Sequence, residues 1–331
     1  MKNILLIQTG GTVAMSAKGS GVELNPDAWA KVLYAEIPEL SDIAQIKTLP
    51  LFFEDSSDLS APHWIELAGC IEQHYEDYDG FVILHGTDTM AYSASALSFA
   101  LKNLAKPVIF TGSQLPMSSI RSDARRNLVN AIELATMSFP EVGICFNDAL
   151  YRGNRSTKMS IGDFDAFGSP NFAPLADIGI QIERRVNMIP HNEKLQNKAA
   201  FSNKLFVLTV YPNLDPAFLD HLDLTSLRAL IIRAYGSGNF PVKGAYSLLP
   251  FLKKCQDHEV TVAIVSQADF DAVDLTQYPA GRAALEHGAI SGGDMTMEAA
   301  LTKLKFLLAH YNSKTDIERL FQQSLAGELT V

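Results

Sequence analysis

A chain of 331 residues, 47% of them hydrophobic, is long enough for about two domains with proper cores. Its formal net charge of −10 argues against nucleic acid and anionic membrane surfaces as partners, since both attract basic proteins. Three cysteines, Cys70, Cys145 and Cys255, are an odd number without metal-ligand spacing and read as reduced core thiols. The N-terminal apolar run is too short for a secretory leader and no run approaches a membrane span, so the expected compartment is the cytoplasm.

Ile4–Ile7 is a buried-strand run that stops in Thr9-Gly10-Gly11-Thr12. Ser16–Gly21 is small and polar and reads as a loop. Asn25-Pro26-Asp27 opens a helix carrying Trp29, Val32 and Leu33. Pro62 starts another, with Trp64, Leu67 and Ile71 on one face. A second strand, Phe81–Leu84, ends in His85-Gly86-Thr87-Asp88-Thr89, and Met90–Leu101 follows as a helix apolar nearly all round. Val108–Phe110 and Val142–Phe146 are further strands, and Ser122 is placed to cap the helix carrying Leu128, Ile132 and Ala135. After a polar stretch around Asn187–Lys204, strands at Leu205–Val210, Leu230–Ala234 and Val260–Val265 alternate with helices at Tyr246–Cys255 and Met297–Tyr311. Thr315 and Glu318 have capping-box spacing before a last amphipathic helix. The pattern predicts an α/β fold of two three-layer domains with mostly parallel sheets, a larger one over 1–188 and a smaller one over 205–331, joined by a linker at 189–204.

The carboxyl end of an open α/β sheet is where ligands usually bind, and both glycine turns place threonine hydroxyls there. Successive N–H groups in such turns can hold a developing oxyanion. Taken alone, Thr-Gly-Gly-Thr is as well explained by a tight turn, and Asp88 by a helix N-cap. Asp55-Ser56-Ser57-Asp58 pairs hydroxyls with exposed N–H groups suited to a substrate carboxylate, although such a segment also reads as a turn followed by a cap. Threonine is a poor nucleophile without a proton acceptor, and Lys158 in Tyr151-Arg152-Gly153-Asn154-Arg155-Ser156-Thr157-Lys158 is the candidate base. A lysine serves so only where burial favours its neutral form. The plain alternative is a surface lysine, or an ion pair with Asp88 or Asp163.

In order and approximate spacing, these four segments resemble the bacterial L-asparaginases, and within them the cytoplasmic type I branch. Thr111-Gly112-Ser113-Gln114-Leu115-Pro116, Arg121-Ser122-Asp123, Phe164-Asp165-Ala166-Phe167, Ala234-Tyr235-Gly236-Ser237-Gly238-Asn239 and Asp294-Met295-Thr296-Met297-Glu298-Ala299 extend the resemblance over nearly the whole chain. It implies a hydrolase that converts L-asparagine to L-aspartate and ammonia, without metal or organic cofactor. By position, Thr12 is implied to be the nucleophile that forms an acyl-enzyme ester, and Thr87 the second essential threonine, grouped with Lys158 and Asp88. Ser56 and Ser57, with Asp55 beside them, match the part that holds the substrate α-carboxylate, and Asp88 would meet the α-ammonium. Ser113 and Thr87 would face the side-chain amide, with the Thr12 and Thr87 N–H groups as its oxyanion hole. The family also implies a site between two subunits and a homodimer or a homotetramer built as a dimer of dimers.

The chain departs from the family at three places. The segment Met15–Leu24 lacks the tyrosine that usually serves the nucleophile, and Tyr278 in Gln277-Tyr278-Pro279-Ala280-Gly281 stands where some type I relatives supply one. The serine–glutamine pair of periplasmic relatives is serine–serine here, and the C-terminal glutamate that reaches a neighbouring site has no clear counterpart. Ser266-Gln267-Ala268 replaces the cysteine-bearing segment of allosteric type I enzymes, which argues against effector control. Alternatives within the fold are a glutaminase, a D-asparaginase or a tRNA amidotransferase subunit. The last usually carries an extra domain before its first motif. A non-catalytic amino-acid-binding protein is the alternative outside enzymes.

Overall fold

The computed structural model describes residues 1–11, 35–187 and 193–330, which fall into two compact units, Met1–Ala199 and Ala200–Val331. The expected 16–21 loop, the helix after Asn25 and residues 189–192 of the expected linker lie outside the described residues. In the N-terminal unit the strands are β1 (Asn3–Gly10), β2 (Gln45–Glu54), β3 (Gly80–Leu84), β4 (Leu101–Lys102), β5 (Val108–Thr111), β6 (Val142–Phe146), β7 (Ala149–Arg152), β8 (Thr157–Lys158), β9 (Phe167–Gly168), β10 (Ala176–Ile178), β11 (Ile182–Arg184) and β12 (Gln196–Asn197). Between them lie α1 (Leu40–Ile43), α2 (Ala61–Gln73), α3 (Met90–Ala100) and α4 (Ala124–Thr136).

The main sheet has the order β11-β10-β7-β6-β5-β3-β1-β2. From β2 to β6 neighbouring strands run parallel, and β7, β10 and β11 extend the sheet antiparallel. Alternate side chains of a strand point to opposite faces, so the apolar runs of β1 and β3 serve two cores. Ile4, Leu6, Val82, Leu84 and Ile109 join Leu128, Ala131, Ile132 and Ala135 of α4 in one cluster. The intervening Leu5, Ile7, Phe81, Ile83 and Phe110 are fully buried on the other face, where the Tyr75 ring stacks on Phe81 at 6.0 Å.

The antiparallel extension is not apparent in the sequence pattern. β6 and β7 are joined across Asn147-Asp148, with Asn147 at φ 53°, a left-handed conformation that Asn tolerates in tight hairpins. Arg152 is carried into the interior because Glu141 pairs with its Nε at 2.6 Å. Gln196–Asn197, within the expected linker, pairs with β4 and belongs to the N-terminal unit.

In the C-terminal unit β13 (Leu205–Thr209), β14 (Ala229–Ala234), β15 (Thr261–Ser266) and β16 (Ile290–Ser291) form one parallel sheet in that order. It is accompanied by α5 (Leu249–Asp257), α6 (Pro279–Glu286), α7 (Met297–His310) and α8 (Lys314–Phe321). α5 starts at Leu249 rather than Tyr246, because Pro250 sits comfortably in a first turn and Gly244–Tyr246 forms a separate turn. The cap of α8 is Ser313, which accepts from the Asp316 N–H at 3.3 Å, rather than Thr315. Glu318 is engaged instead by Lys314 at 2.5 Å, one helical turn away.

Candidate active site

Because β2, β1 and β3 are adjacent and parallel, the segments that follow them emerge at one edge of the sheet. Gly10 and Gly11 turn the chain with φ of +108° and +86°. A Cβ on Gly11 would lie 2.6 Å from the Gly86 nitrogen, so the first turn rests directly on the second. A Cβ on Gly86 would lie 2.7 Å from Ser56 Oγ, which brings the third segment into the same group. Only glycine allows these backbones to approach so closely.

Lys158 reaches this edge from β8, which pairs with β9, and Phe167 of β9 packs on Phe146 with ring centroids 5.0 Å apart. The preceding turn is tied to α3 by Ser95 Oγ, which donates to the Gly153 carbonyl at 3.2 Å. Lys158 Nζ donates to Thr87 Oγ1 at 2.8 Å and to Asp88 Oδ1 at 2.6 Å. The lysine side chain is 16% exposed and that of Asp88 66%, so the row runs from a buried hydroxyl to a carboxylate open to solvent. Thr87 Oγ1 in turn donates to Gln114 Oε1 at 3.4 Å. Asp88 caps no helix. Thr89 holds the cap position of α3, and its hydroxyl donates to the Ser56 carbonyl at 2.6 Å. The ion pair expected as Lys158's plain alternative is therefore present with Asp88, in line with the Thr87 hydroxyl.

Asp55 accepts from the Ser57 N–H and from Ser57 Oγ, both at 2.8 Å. The Ser57 N–H bond, followed by the Ser57 hydroxyl, holds the Asp55 carboxyl below the usual carboxylate range. Ser56 is buried and Ser57 exposed. Ser113 follows β5 at the same edge, but its hydroxyl is turned into its own loop and donates to the Leu115 carbonyl at 2.6 Å. Tyr278 belongs to the C-terminal unit, about half exposed at the cap position of α6. Thr12 lies outside the described residues; its chain neighbour Gly11 is the residue packed on Gly86.

Several supporting side chains have contacts that the motifs do not assign. Asp123 accepts from the Gln114 N–H at 3.0 Å and the Leu115 N–H at 3.2 Å, and Asn127 Nδ2 bridges Asp123 Oδ2 and the Gly112 carbonyl. These bonds hold the loop carrying Ser113 and Gln114. His85 is fully buried, with Nδ1 2.7 Å from the Gly86 carbonyl and Nε2 2.9 Å from Ser93 Oγ. A histidine placed between a buried apolar strand and a glycine was the available signal for that contact. Among the described residues no grouping of three or more His, Cys, Asp or Glu side chains could hold a metal ion, and no helix is long and apolar enough to cross a membrane.

The N-terminal asparaginase family model matches residues 3–190, and the glutaminase/asparaginase C-terminal domain model matches residues 204–321. The chain is 42% identical to L-asparaginase 1 of Escherichia coli K12 over 99% of this chain and 98% of that one. The solved structure of the thermostable L-asparaginase from Thermococcus kodakarensis superposes with a TM-score of 0.91 at 32% identity, covering 99% of both chains. L-asparaginase I from Vibrio cholerae gives a TM-score of 0.88 at 36% identity, covering 100% of this chain and 99% of that one. Two family models in tandem, a full-length relative and the converging strand-end motifs lead to one conclusion: the chain belongs to the asparaginase family.

Proposed function

We propose that this protein hydrolyses the side-chain amide of L-asparagine, releasing L-aspartate and ammonia through a threonine ester. The observation that carries this reading is the row Thr87 Oγ1, Lys158 Nζ, Asp88 Oδ1, with successive separations of 2.8 and 2.6 Å. Hydroxyl, amine and carboxylate in line form the general arrangement by which a weak alcohol is activated and its base is oriented. In the first half-reaction Thr12 Oγ1 bonds to the amide carbon, the C–N bond breaks, and ammonia leaves with the hydroxyl proton. In the second, water adds to the ester carbon, the bond to Thr12 breaks, and the threonine regains a proton. In that second half-reaction the attacking water gives a proton to Thr87 Oγ1 as Thr87 passes its own to Lys158 Nζ and Lys158 passes one to Asp88. The row hands a proton back as Thr12 Oγ1 leaves, so hydroxyl, amine and carboxylate end as they began.

Ser56 and Ser57 hold the α-carboxylate end, Asp55 positions Ser57 through its two hydrogen bonds, Asp88 meets the α-ammonium, and Ser113 shapes the loop facing the amide. Tyr278 serves the Thr12 hydroxyl in place of the tyrosine absent from 15–24. The free, buried state of Cys70, Cys145 and Cys255 supports the cytoplasm as the compartment. The homodimer or homotetramer that the family implies is extended to this chain as part of the same reading. Steady-state ammonia release from L-asparagine and from L-glutamine tests the activity, and light scattering tests the assembly. Release faster from glutamine, or from neither amide, would overturn the substrate assignment.

A further inference from the structure

The Gly86–Thr87 peptide is held from one side by a chain of side chains that the proposed reaction does not itself use. Trp64 Nε1 donates to Ser93 Oγ at 3.0 Å, Ser93 Oγ lies 2.9 Å from His85 Nε2, and His85 Nδ1 lies 2.7 Å from the Gly86 carbonyl. The three residues come from α2, α3 and the end of β3, and Ser93 and His85 are almost wholly buried. Both ends of the chain have a fixed sense, because an indole N–H only donates and a carbonyl only accepts. The histidine nitrogen facing Gly86 must therefore carry the proton, and Ser93 donates to the other nitrogen. Burial depresses the imidazole pKa to about 4, which keeps the ring neutral and this tautomer in place. Packing supports the same pose, since the His85 ring meets Phe110 edge-on at 5.6 Å and the His85 N–H donates to the Thr111 carbonyl at 2.9 Å.

A trans peptide is planar, so its carbonyl and its N–H point in opposite directions. Anchoring the Gly86 carbonyl on His85 consequently turns the Thr87 N–H away from the core, toward the sheet edge where Thr87 Oγ1 meets Lys158. Among the described residues this N–H has no backbone acceptor. A donor fixed before the substrate arrives stabilises developing negative charge without reorganisation. We infer that Trp64, Ser93 and His85 are positioning residues that aim the Thr87 N–H at the oxygen on which negative charge develops during amide hydrolysis. The inference rests on the asparaginase reading above.

The test compares His85→Leu, which removes the anchor, with His85→Asn, whose amide nitrogen can replace Nδ1 as donor to Gly86. Readouts are kcat and KM for L-asparagine, the affinity for L-aspartate by calorimetry, and thermal stability. His85→Leu is expected to lower kcat about tenfold or more with L-aspartate affinity unchanged, and His85→Asn to recover part of that loss. Equal kcat losses in the two variants, or full kcat in His85→Leu, would overturn the inference. Should His85→Leu fail to fold, Ser93→Ala and the nitrogen NMR shifts of His85 in the wild-type protein decide the matter. A proton on Nδ1 and a lowered kcat in Ser93→Ala support the relay, and a proton on Nε2 or an unchanged kcat refutes it. Wild-type protein that releases no ammonia would defeat the functional reading instead, while the NMR measurement would still judge the relay.

Discussion

Thr87 and Lys158 share one hydrogen bond of 2.8 Å, and that geometry makes a quantitative demand on their variants. Thr87→Val removes the hydroxyl at nearly constant volume, and Lys158→Met removes the amine while keeping an unbranched stem. A positioned proton-transfer group contributes about 10²–10⁴-fold in rate, or roughly 3–5 kcal/mol of barrier, and each single variant is expected to lose kcat in that range. If the two groups act on the same proton, removing either breaks the transfer, so the double variant should lose little more than the worse single one. Independent contributions would instead multiply to about 10⁴–10⁸-fold. Stability should move far less than activity. The Asp88 side chain is 66% exposed, so loss of Lys158 leaves its carboxylate in water, and a pair of that kind is worth about 0–1 kcal/mol. The assay is kcat from ammonia release at saturating L-asparagine for wild type, both singles and the double, with a melting temperature for each. Additive losses in ln kcat would refute the shared-proton argument. Inactivity matched by a collapse of melting temperature would refute the claim that the row is catalytic rather than structural.

Thr12→Ala should lose several orders of magnitude in turnover while still binding L-aspartate in calorimetry; near-normal ammonia release would remove Thr12 as nucleophile. Tyr278→Phe keeps the ring and removes the hydroxyl, and a fall in kcat of about tenfold at unchanged melting temperature is expected. Full activity in that variant would leave Tyr278 as a surface side chain of the C-terminal unit. His85, depressed by burial from 6.5 to about 4, stays neutral in the folded protein while the unfolded chain takes up a proton. Its contribution, on the order of 3 kcal/mol, is therefore present above about pH 6.5 and lost as pH falls toward 4. His85→Asn should flatten the stability profile over that window, and an unchanged acid slope would contradict the assignment. In the C-terminal unit Lys303 and Glu328 pair at 2.5 Å with both side chains wholly buried, so Glu328→Gln alone should destabilise by about 3–5 kcal/mol by leaving an ammonium, still bonded to the Phe321 and Gln323 carbonyls, without its counter-charge. Adding Lys303→Met to that variant should restore much of the loss, and denaturant titration showing a further decrease would disprove the explanation.

The local facts of this protein were legible in its sequence because they depend on short-range chemistry. Phe81–Leu84 and Val142–Phe146 are strands since continuous apolar runs fit a sheet covered on both faces, and Gly10-Gly11 and Gly86 end or follow strands because the chain needs close backbone approach there. The chemical types needed at the site, hydroxyls, carboxylates and an internal lysine, could be named from motifs in the same way. Periodicity could not reveal the antiparallel turn-back at Asn147-Asp148, since short strands carry too few residues to show an alternation. Nor did it place the cap of α8, since the spacing pointed to Thr315 with Glu318 while the fold puts Ser313 at the cap and pairs Glu318 with Lys314. Whether Lys158 faces water or Thr87 depends on the pairing of β8 with β9, a contact between residues about ten positions apart that no local pattern encodes. The tautomer of His85 was likewise settled only when packing brought Ser93 to one ring nitrogen and the Gly86 carbonyl to the other. Local propensity determined which elements and which reactive groups this chain has, and the order of strands in the sheet decided which of those groups meet, because proximity in a fold follows topology and burial rather than distance along the chain.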